Sequence, residues 1–175
     1  MGTDKSLLEI DGLPMARRVT DALLSAGAVT AACVGGDVGS LQDLDLVAHP
    51  DRWPGEGPLA GVIEALHAVG SEPTVVVLSC DLLDPDPEVI AELAARRAQL
   101  GVDLVVAQAG HRPQWTHAAW RRGCVRTLED AFAAGERSLA GAARNLRVDP
   151  WVVPDQRAVA DADAPADLRS RRGHP

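Results

Sequence analysis

Apolar positions along the chain alternate between short unbroken runs and longer stretches in which they recur every three or four residues. The run at residues 74–81, Thr-Val-Val-Val-Leu-Ser-Cys-Asp, is the one around which the others arrange themselves. Aliphatic and β-branched residues without polar alternation suit a parallel strand covered on both faces, so this segment is expected to be a fully buried strand. Asp81 then stands at its carboxyl end, where open α/β sheets bind ligands. A carboxylate there has two uses. It caps the turn that follows, or it holds a divalent cation against phosphate oxygens, because magnesium takes only one or two protein carboxylates.

Helical spacing first appears after Pro14, a residue suited to a first helical turn. Met15, Val19, Ala22, Leu23 and Ala26 follow at that spacing, and Gly27 is the expected stop. Strands are expected at 30–34 and 44–48. Between them Gly35-Gly36-Asp37-Val38-Gly39-Ser40 is a turn that either admits a nucleotide to the backbone or is an ordinary glycine turn. Residues 49–61 are too rich in proline and glycine for regular structure and read as a loop, from which Pro58 starts a helix to about residue 69. Loops from a strand end to a helix start carry recognition groups in parallel sheets, which makes Asp51 and the backbone of residues 57–61 candidates. A helix at 86–100 and a strand at 103–108 continue the alternation. This order predicts an α/β fold: a mostly parallel sheet with helices on both faces.

The last third is less regular. His111 and His117 lie near Trp115 and Trp120, at a spacing that fits no standard metal motif. Helices are expected at 124–134 and 138–146, the second capped by Ser138, and a strand at 151–153. A terminal helix follows Asp161, and the carboxylates of Asp161 and Asp163 suit the free amides at its start. Trp53 and Trp120 are candidates for an exposed self-association surface.

Composition narrows the class. At 175 residues and 46% hydrophobic, the chain can bury a proper core as a single domain spanning 1–175. Cys33, Cys80 and Cys124 are odd in number and widely spaced, as reduced thiols are, and form no disulfide or zinc framework. No apolar run approaches membrane-spanning length and no signal-peptide pattern opens the chain, so a soluble cytoplasmic protein without membrane contact is expected. A net charge of −8 argues against nucleic-acid binding, and Arg169, Arg171 and Arg172 are assigned to solvating a helix end.

Several blocks, in order, carry a resemblance. Met1-Gly-Thr-Asp-Lys-Ser-Leu-Leu is similar to a Met-Gly-x-Asp-Lys-x-Leu-Leu segment, Pro54-Gly-Glu-Gly-Pro-Leu-Ala-Gly to a second signature, and Ser79-Cys-Asp81 to a Pro-Cys-Asp metal site. Gly135-Glu-Arg-Ser-Leu139 and Asp161-Ala-Asp-Ala-Pro-Ala-Asp-Leu168 look like later motifs. Over nearly its whole length the chain resembles the molybdenum cofactor guanylyltransferases, MobA-like nucleotidyltransferases. The resemblance implies a three-layer Rossmann-like nucleotidyltransferase fold. It also implies a reaction, attack by the terminal phosphate of molybdopterin on the α-phosphorus of GTP with release of pyrophosphate.

Residue roles follow from the same resemblance. Lys5 would contact the nucleotide phosphates, and Asp51 matches a guanine-nucleotide position. Gly35 lies near another such position, whose usual side chain is absent. Gly57, Pro58, Leu59 and Gly61 would form the nucleotide loop. Asp81 would bind Mg2+ and phosphate, with Asp163 as a second candidate metal ligand. Arg112, Gln114, Trp115 and Arg137 are candidates for the pterin side, and transient contact with molybdenum-cofactor proteins is implied. Two other functions fit the same blocks: a nucleotidyltransferase with a different acceptor, such as a sugar phosphate, and an inactive nucleotide-binding paralogue.

One departure bears on the fold. Members of the family place a hydrophobic strand and a Leu-Ala-Gly-Gly-x-x-x-Arg loop ahead of the Met-Gly-x-Asp-Lys segment, whereas this sequence begins at that methionine. The expected sheet therefore lacks its first strand, and that strand's neighbours keep unpaired edges. Either the segment lies upstream of Met1 or the chain is a paralogue without catalysis. Retention of Lys5, Asp51 and Asp81 favours the first.

Overall fold

Turn chemistry sets the amino-terminal layout. In the computed structural model, which describes residues 4–161, a 3-10 turn at Lys5–Leu7 leads into a small antiparallel hairpin. Its strands are β1 (Glu9–Ile10) and β2 (Leu13–Pro14), joined by Asp11 and Gly12 at φ 53° and 79°. Two consecutive positive φ values give the primed turn whose twist matches a hairpin. Helix α1 (Met15–Ser25) follows Pro14 as the spacing predicts and buries Met15, Ala16, Val19 and Ala22. Strand β3 is only Cys33–Val34, because Asp37 caps a short helix, α2 (Val38–Asp43), by accepting a hydrogen bond from the Ser40 N–H at 3.1 Å. The strand expected at 44–48 shrinks to β4 (Ala48–His49), which pairs with β3 in parallel.

Proline fixes the next two helix starts. Helices α3 (Pro58–Ala68) and α4 (Pro87–Leu100) flank β5 (Thr74–Val77), and Asp86 caps α4 by accepting from the Glu88 N–H. Two strands then form a hairpin, β6 (Leu104–Ala109) and β7 (Arg112–Arg121). Helices α5 (Val125–Ala133) and α6 (Leu139–Ala142) precede β8 (Val148–Val152). Ser138 caps α6 as expected, accepting from the Gly141 N–H at 3.0 Å. Among the described residues no helix is long and apolar enough to cross a membrane.

The larger sheet runs in the order β5-β7-β6-β8. β7 is antiparallel to both its neighbours while β6 and β8 are parallel, so only β7 opposes the shared direction and the sheet is mixed. Period-two alternation splits β6 between two cores. Leu104 and Val106 join Leu59, Ile63, Leu66 and Leu128 on the α3–α5 face, whereas Val105 and Ala107 join Val89 and Leu93 on the α4 face. The α/β class expected from the alternation is thus realised with helices on both sides.

Three expectations need correction. Residues 110–122, read as irregular, supply the longest strand. Trp120, proposed for a self-association surface, is fully buried on that strand, and Trp53 packs on Phe132 with ring centroids 5.3 Å apart. The 74–81 segment is a strand only over Thr74–Val77, and of its residues only Val75 is fully buried. One edge of β5 pairs with β7 and the other faces an apolar slot, so Val76, Val77 and Leu78 stay half-buried.

Asp103 anchors the sheet just before β6. Its carboxylate accepts from Arg121 Nε at 2.7 Å and from the Arg147 N–H at 3.0 Å. Burial pushes the Asp103 pKa up, but these hydrogen bonds and the Arg121 charge outweigh burial and hold it below the ordinary 3.8. A depressed carboxylate contributes its stability above the ordinary value and loses it as pH falls from there toward the folded pKa. Asp103→Ala is therefore expected to cost about 2 kcal/mol in urea unfolding at neutral pH. The difference from the parent should shrink as pH falls below 3.8, and a pH-independent difference would contradict the assignment.

Candidate functional site

A short polar segment is fastened to the carboxyl ends of β3 and β5. Asp4 accepts from the Ser6 N–H at 3.0 Å, from Ser6 Oγ at 2.7 Å and, across the fold, from the Asp37 N–H at 2.8 Å. Burial works to raise the Asp4 pKa, yet these hydrogen bonds prevail and hold it below the ordinary value. The close approach requires glycine at 36, whose φ is 71° and where a Cβ would lie 2.7 Å from Asp4 Oδ2. The turn at 35–40 is thus shaped to receive a carboxylate.

The staple aims the next side chain. Lys5 Nζ lies 3.3 Å from Asp81 Oδ2, with side-chain exposures of 52% and 19%. Asp81 sits beyond the carboxyl end of β5, and its other oxygen accepts from Ser79 Oγ. Lys5, Gly35, Gly36, Ser79 and Asp81 line one shallow cleft of about 190 Å3. Asp51 lies against Gly35: a Cβ on Gly35 would be 3.5 Å from Asp51 Cβ, and Asp51 Oδ1 accepts from the Trp53 N–H at 2.8 Å. The structure therefore brings Lys5, Gly35 and Asp81 together, with Asp51 beside them.

The loop at 57–61 forms a separate flank. Gly57, at φ 91°, precedes α3, whose first turn has no side-chain cap, and Pro58 and Gly61 border the apolar slot. Leu59 is fully buried in the core, so only its backbone can face a ligand. Arg137 Nε meets Glu56 Oε2 at 2.6 Å and its guanidinium lies 4.1 Å over the Phe132 ring. This clasp joins the Gly-Glu-Arg-Ser segment to the Pro-Gly-Glu-Gly loop. Of the other pterin-side candidates, Arg112 is exposed while Gln114 and Trp115 are half-buried, Trp115 against the core. His117 is fully buried with Nε2 3.2 Å from Asp161 Oδ1, and Asp163 lies outside the described residues.

Among the described residues no three His, Cys, Asp or Glu side chains converge as a metal cage. The cleft suits a different kind of ion. One partly exposed carboxylate beside an ammonium can serve a cation whose remaining ligands are substrate phosphates and water, the usual habit of magnesium. Sequence reasoning gave Asp4 no role, although Asp-x-Ser before a turn is a signal for an aspartate that bonds the backbone two residues on.

The sequence model of the MobA-like NTP transferase domain matches residues 1–149. A molybdenum cofactor guanylyltransferase of Rhodobacter capsulatus is 32% identical over 175 residues, covering 96% of this chain and 86% of that protein. One from Cereibacter sphaeroides is 30% identical over 170 residues, covering 95% and 86%. Among solved structures, molybdopterin-guanine dinucleotide biosynthesis protein A from Archaeoglobus fulgidus superposes with a TM-score of 0.78 at 21% identity, covering 97% of this chain and 89% of that one. A nucleotidyl transferase from Methanothermobacter gives 0.72 at 18%, covering 97% and 84%. At these identities the structures establish likeness of fold.

Because part of the need for glycine at 36 comes from the Asp4 carboxylate beside it, the two positions should be coupled. Asp4→Ala is expected to cost about 1 kcal/mol, as for a lost cap. Gly36→Ala should cost about 1–2 kcal/mol through its left-handed backbone and the clash. In the double variant the clash disappears, so urea unfolding should show a loss smaller than the sum, and strict additivity would contradict the staple.

Proposed function

The chain belongs to the MobA-like NTP transferase family, and from that membership we propose that it transfers GMP from GTP to molybdenum-molybdopterin. The products are molybdopterin guanine dinucleotide and pyrophosphate. In this reading a terminal phosphate oxygen of the pterin forms a bond to the α-phosphorus of GTP. The bond from that phosphorus to the bridging oxygen of the β-phosphate breaks, and the electron pair leaves with pyrophosphate. The observation that carries the proposal is the Lys5–Asp81 contact of 3.3 Å at the glycine-walled mouth of two strand ends.

Phosphoryl transfer of this kind needs alignment and charge neutralisation more than a protein nucleophile. Asp81 is proposed to hold Mg2+, which supplies Lewis-acid stabilisation to the triphosphate when bound. Ser79 fixes one oxygen of that carboxylate and leaves the other turned toward Lys5. An ion pair this exposed contributes about 0–1 kcal/mol, so arriving phosphates can draw the ammonium off Asp81. Lys5 then follows the charge that develops on the leaving pyrophosphate. Asp51 beside Gly35 is proposed to serve guanine-nucleotide binding, and the backbone of Gly57, Pro58, Leu59 and Gly61, at an uncapped helix start, the nucleotide. Asp163 remains a second proposed metal ligand. The substrates are small molecules of the cytoplasm, and handover of the pterin implies transient contact with other molybdenum-cofactor proteins.

The test is incubation with molybdenum-molybdopterin, GTP and Mg2+, followed by detection of the guanine dinucleotide and pyrophosphate, with CTP and ATP as controls. Product is expected with GTP. Asp81→Asn should lower kcat by at least ~100-fold, and Lys5→Ala should lower kcat/KM for GTP by a similar factor. Neither should move the unfolding midpoint appreciably, because the pair is weak. Pyrophosphate release only with a sugar phosphate as acceptor, or parental rates in Asp81→Asn, would contradict the proposal.

A further inference from the structure

The three cysteines are free thiols, and two of them meet. Cys33 opens β3 and Cys80 follows β5, so the pair joins two strands that belong to separate sheets. The Cys80 S–H donates to the Cys33 sulfur, and both side chains line the cleft that also holds Lys5 and Asp81. Cys33 is buried and Cys80 half-buried. Cys124 is placed differently. It belongs to the core of Leu59 and Leu128, where burial pushes its thiol up to about 11.

A buried cysteine usually serves as a small apolar residue, and that account suffices for Cys124. It does not explain two thiols in hydrogen-bond contact at the wall of a polar cleft. A metal site does not explain them either, because structural zinc takes four ligands and no three His, Cys, Asp or Glu side chains converge among the described residues. The contact has a chemical consequence instead. The hydrogen bond from Cys80 favours the Cys33 thiolate and, against burial, holds the Cys33 pKa below the ordinary 9.0. The Thr20 hydroxyl and the Arg17 charge act in the same direction, and the Asp4 charge opposes them. The thiolate is the nucleophilic form, and redox-sensitive thiolates keep a second thiol beside them to resolve the oxidised product.

We propose that Cys33 and Cys80 are a redox modification site, converted by hydroperoxide into a reversible disulfide across the Lys5–Asp81 cleft. The Cys33 thiolate attacks one oxygen of hydrogen peroxide, the O–O bond breaks and hydroxide leaves, which makes a sulfenic acid at Cys33. The Cys80 sulfur then attacks the Cys33 sulfur. The S–O bond breaks, and its oxygen leaves as water with the Cys80 proton. In sum two thiols and one peroxide become one disulfide and two waters, and a dithiol reductant reverses the change. Asp81 follows Cys80 directly, so drawing residue 80 toward β3 moves the carboxylate that Ser79 and Lys5 hold in the reduced protein. Formation of the disulfide does not depend on which reaction the cleft performs; its effect on turnover rests on the function proposed above.

The test treats the full chain with hydrogen peroxide, labels the remaining thiols with N-ethylmaleimide in denaturant, and reads the intact mass and the peptide map. The untreated chain should take a label on each of Cys33, Cys80 and Cys124. The oxidised chain should take one on Cys124 alone, lose two hydrogens and yield a linked Cys33–Cys80 peptide that dithiothreitol releases. Cys80→Ala should leave a sulfenic acid on Cys33 that dimedone traps. Nucleotidyl transfer by the oxidised chain should fall at least ~10-fold, as expected when an aligned group is displaced. Dithiothreitol should restore it, and in Cys33→Ala peroxide should leave turnover at its untreated level. Full labelling after peroxide, or linkage through Cys124, would overturn the proposal. A complete Cys33–Cys80 disulfide with unchanged turnover would overturn the link to the cleft. A reduced chain without any transfer would contradict the proposed reaction, and the peptide map would still decide the disulfide. It also decides should either cysteine variant fail to fold, because it needs only the parent chain.

Discussion

A carboxylate that gives its oxygens to the backbone decides where the candidate site forms. Asp4 holds the first turn against the Asp37 N–H, and the adjacent residue, Lys5, is thereby brought to the end of β5. Without that staple a lysine on a surface turn has a long flexible stem and no fixed direction. With it, the ammonium faces Asp81 across a cleft whose other walls are Gly35 and Gly36. The glycines serve closeness of approach: a side chain at 36 would occupy the space of the Asp4 carboxylate.

The scaffold beneath the cleft is uneven in a way that matters. Around β6 and β7 the sheet is covered on both faces and paired on both edges, and Val105, Val106, Ala118 and Ala119 are fully buried. β5 belongs to this sheet by one edge only, and it carries the catalytic carboxylate of the proposed reaction. β3, which carries the glycine turn, belongs to a two-stranded sheet of its own. The cleft is thus assembled across a seam between two sheets, held by the Asp4 staple and by the packing of α1 and α3. Such a seam is where local opening is expected to be easiest.

Much of this was legible before any coordinates. Pro58 marked a helix start because proline fits a first turn, and α3 begins there; the helix expected at 86–100 begins at Pro87. Lys5, Asp51 and Asp81 were singled out through the resemblance of their blocks, and the structure sets Lys5 against Asp81 with Asp51 next to Gly35. Strand β7 was not legible. Its first residues, Arg112 and Pro113, are exposed, and its pairing with β5 and β6 depends on distant partners that local pattern does not encode. Helix α2 hid behind glycines that suggested a plain turn, although the Asp37 cap was in the sequence. The 74–81 run suggested full burial because its composition is that of a central strand. Its composition fits a strand with neighbours on both sides, and in the described structure it has one.

The account rests on Lys5 and Asp81 acting on the same triphosphate. A double-mutant cycle on kcat/KM for GTP, built from Lys5→Ala, Asp81→Asn and the double variant, tests that most directly. Groups that act as a unit are strongly non-additive, so the double variant should be no more than about threefold slower than the worse single variant. Losses that simply multiply would place the two residues at independent tasks and contradict the shared site.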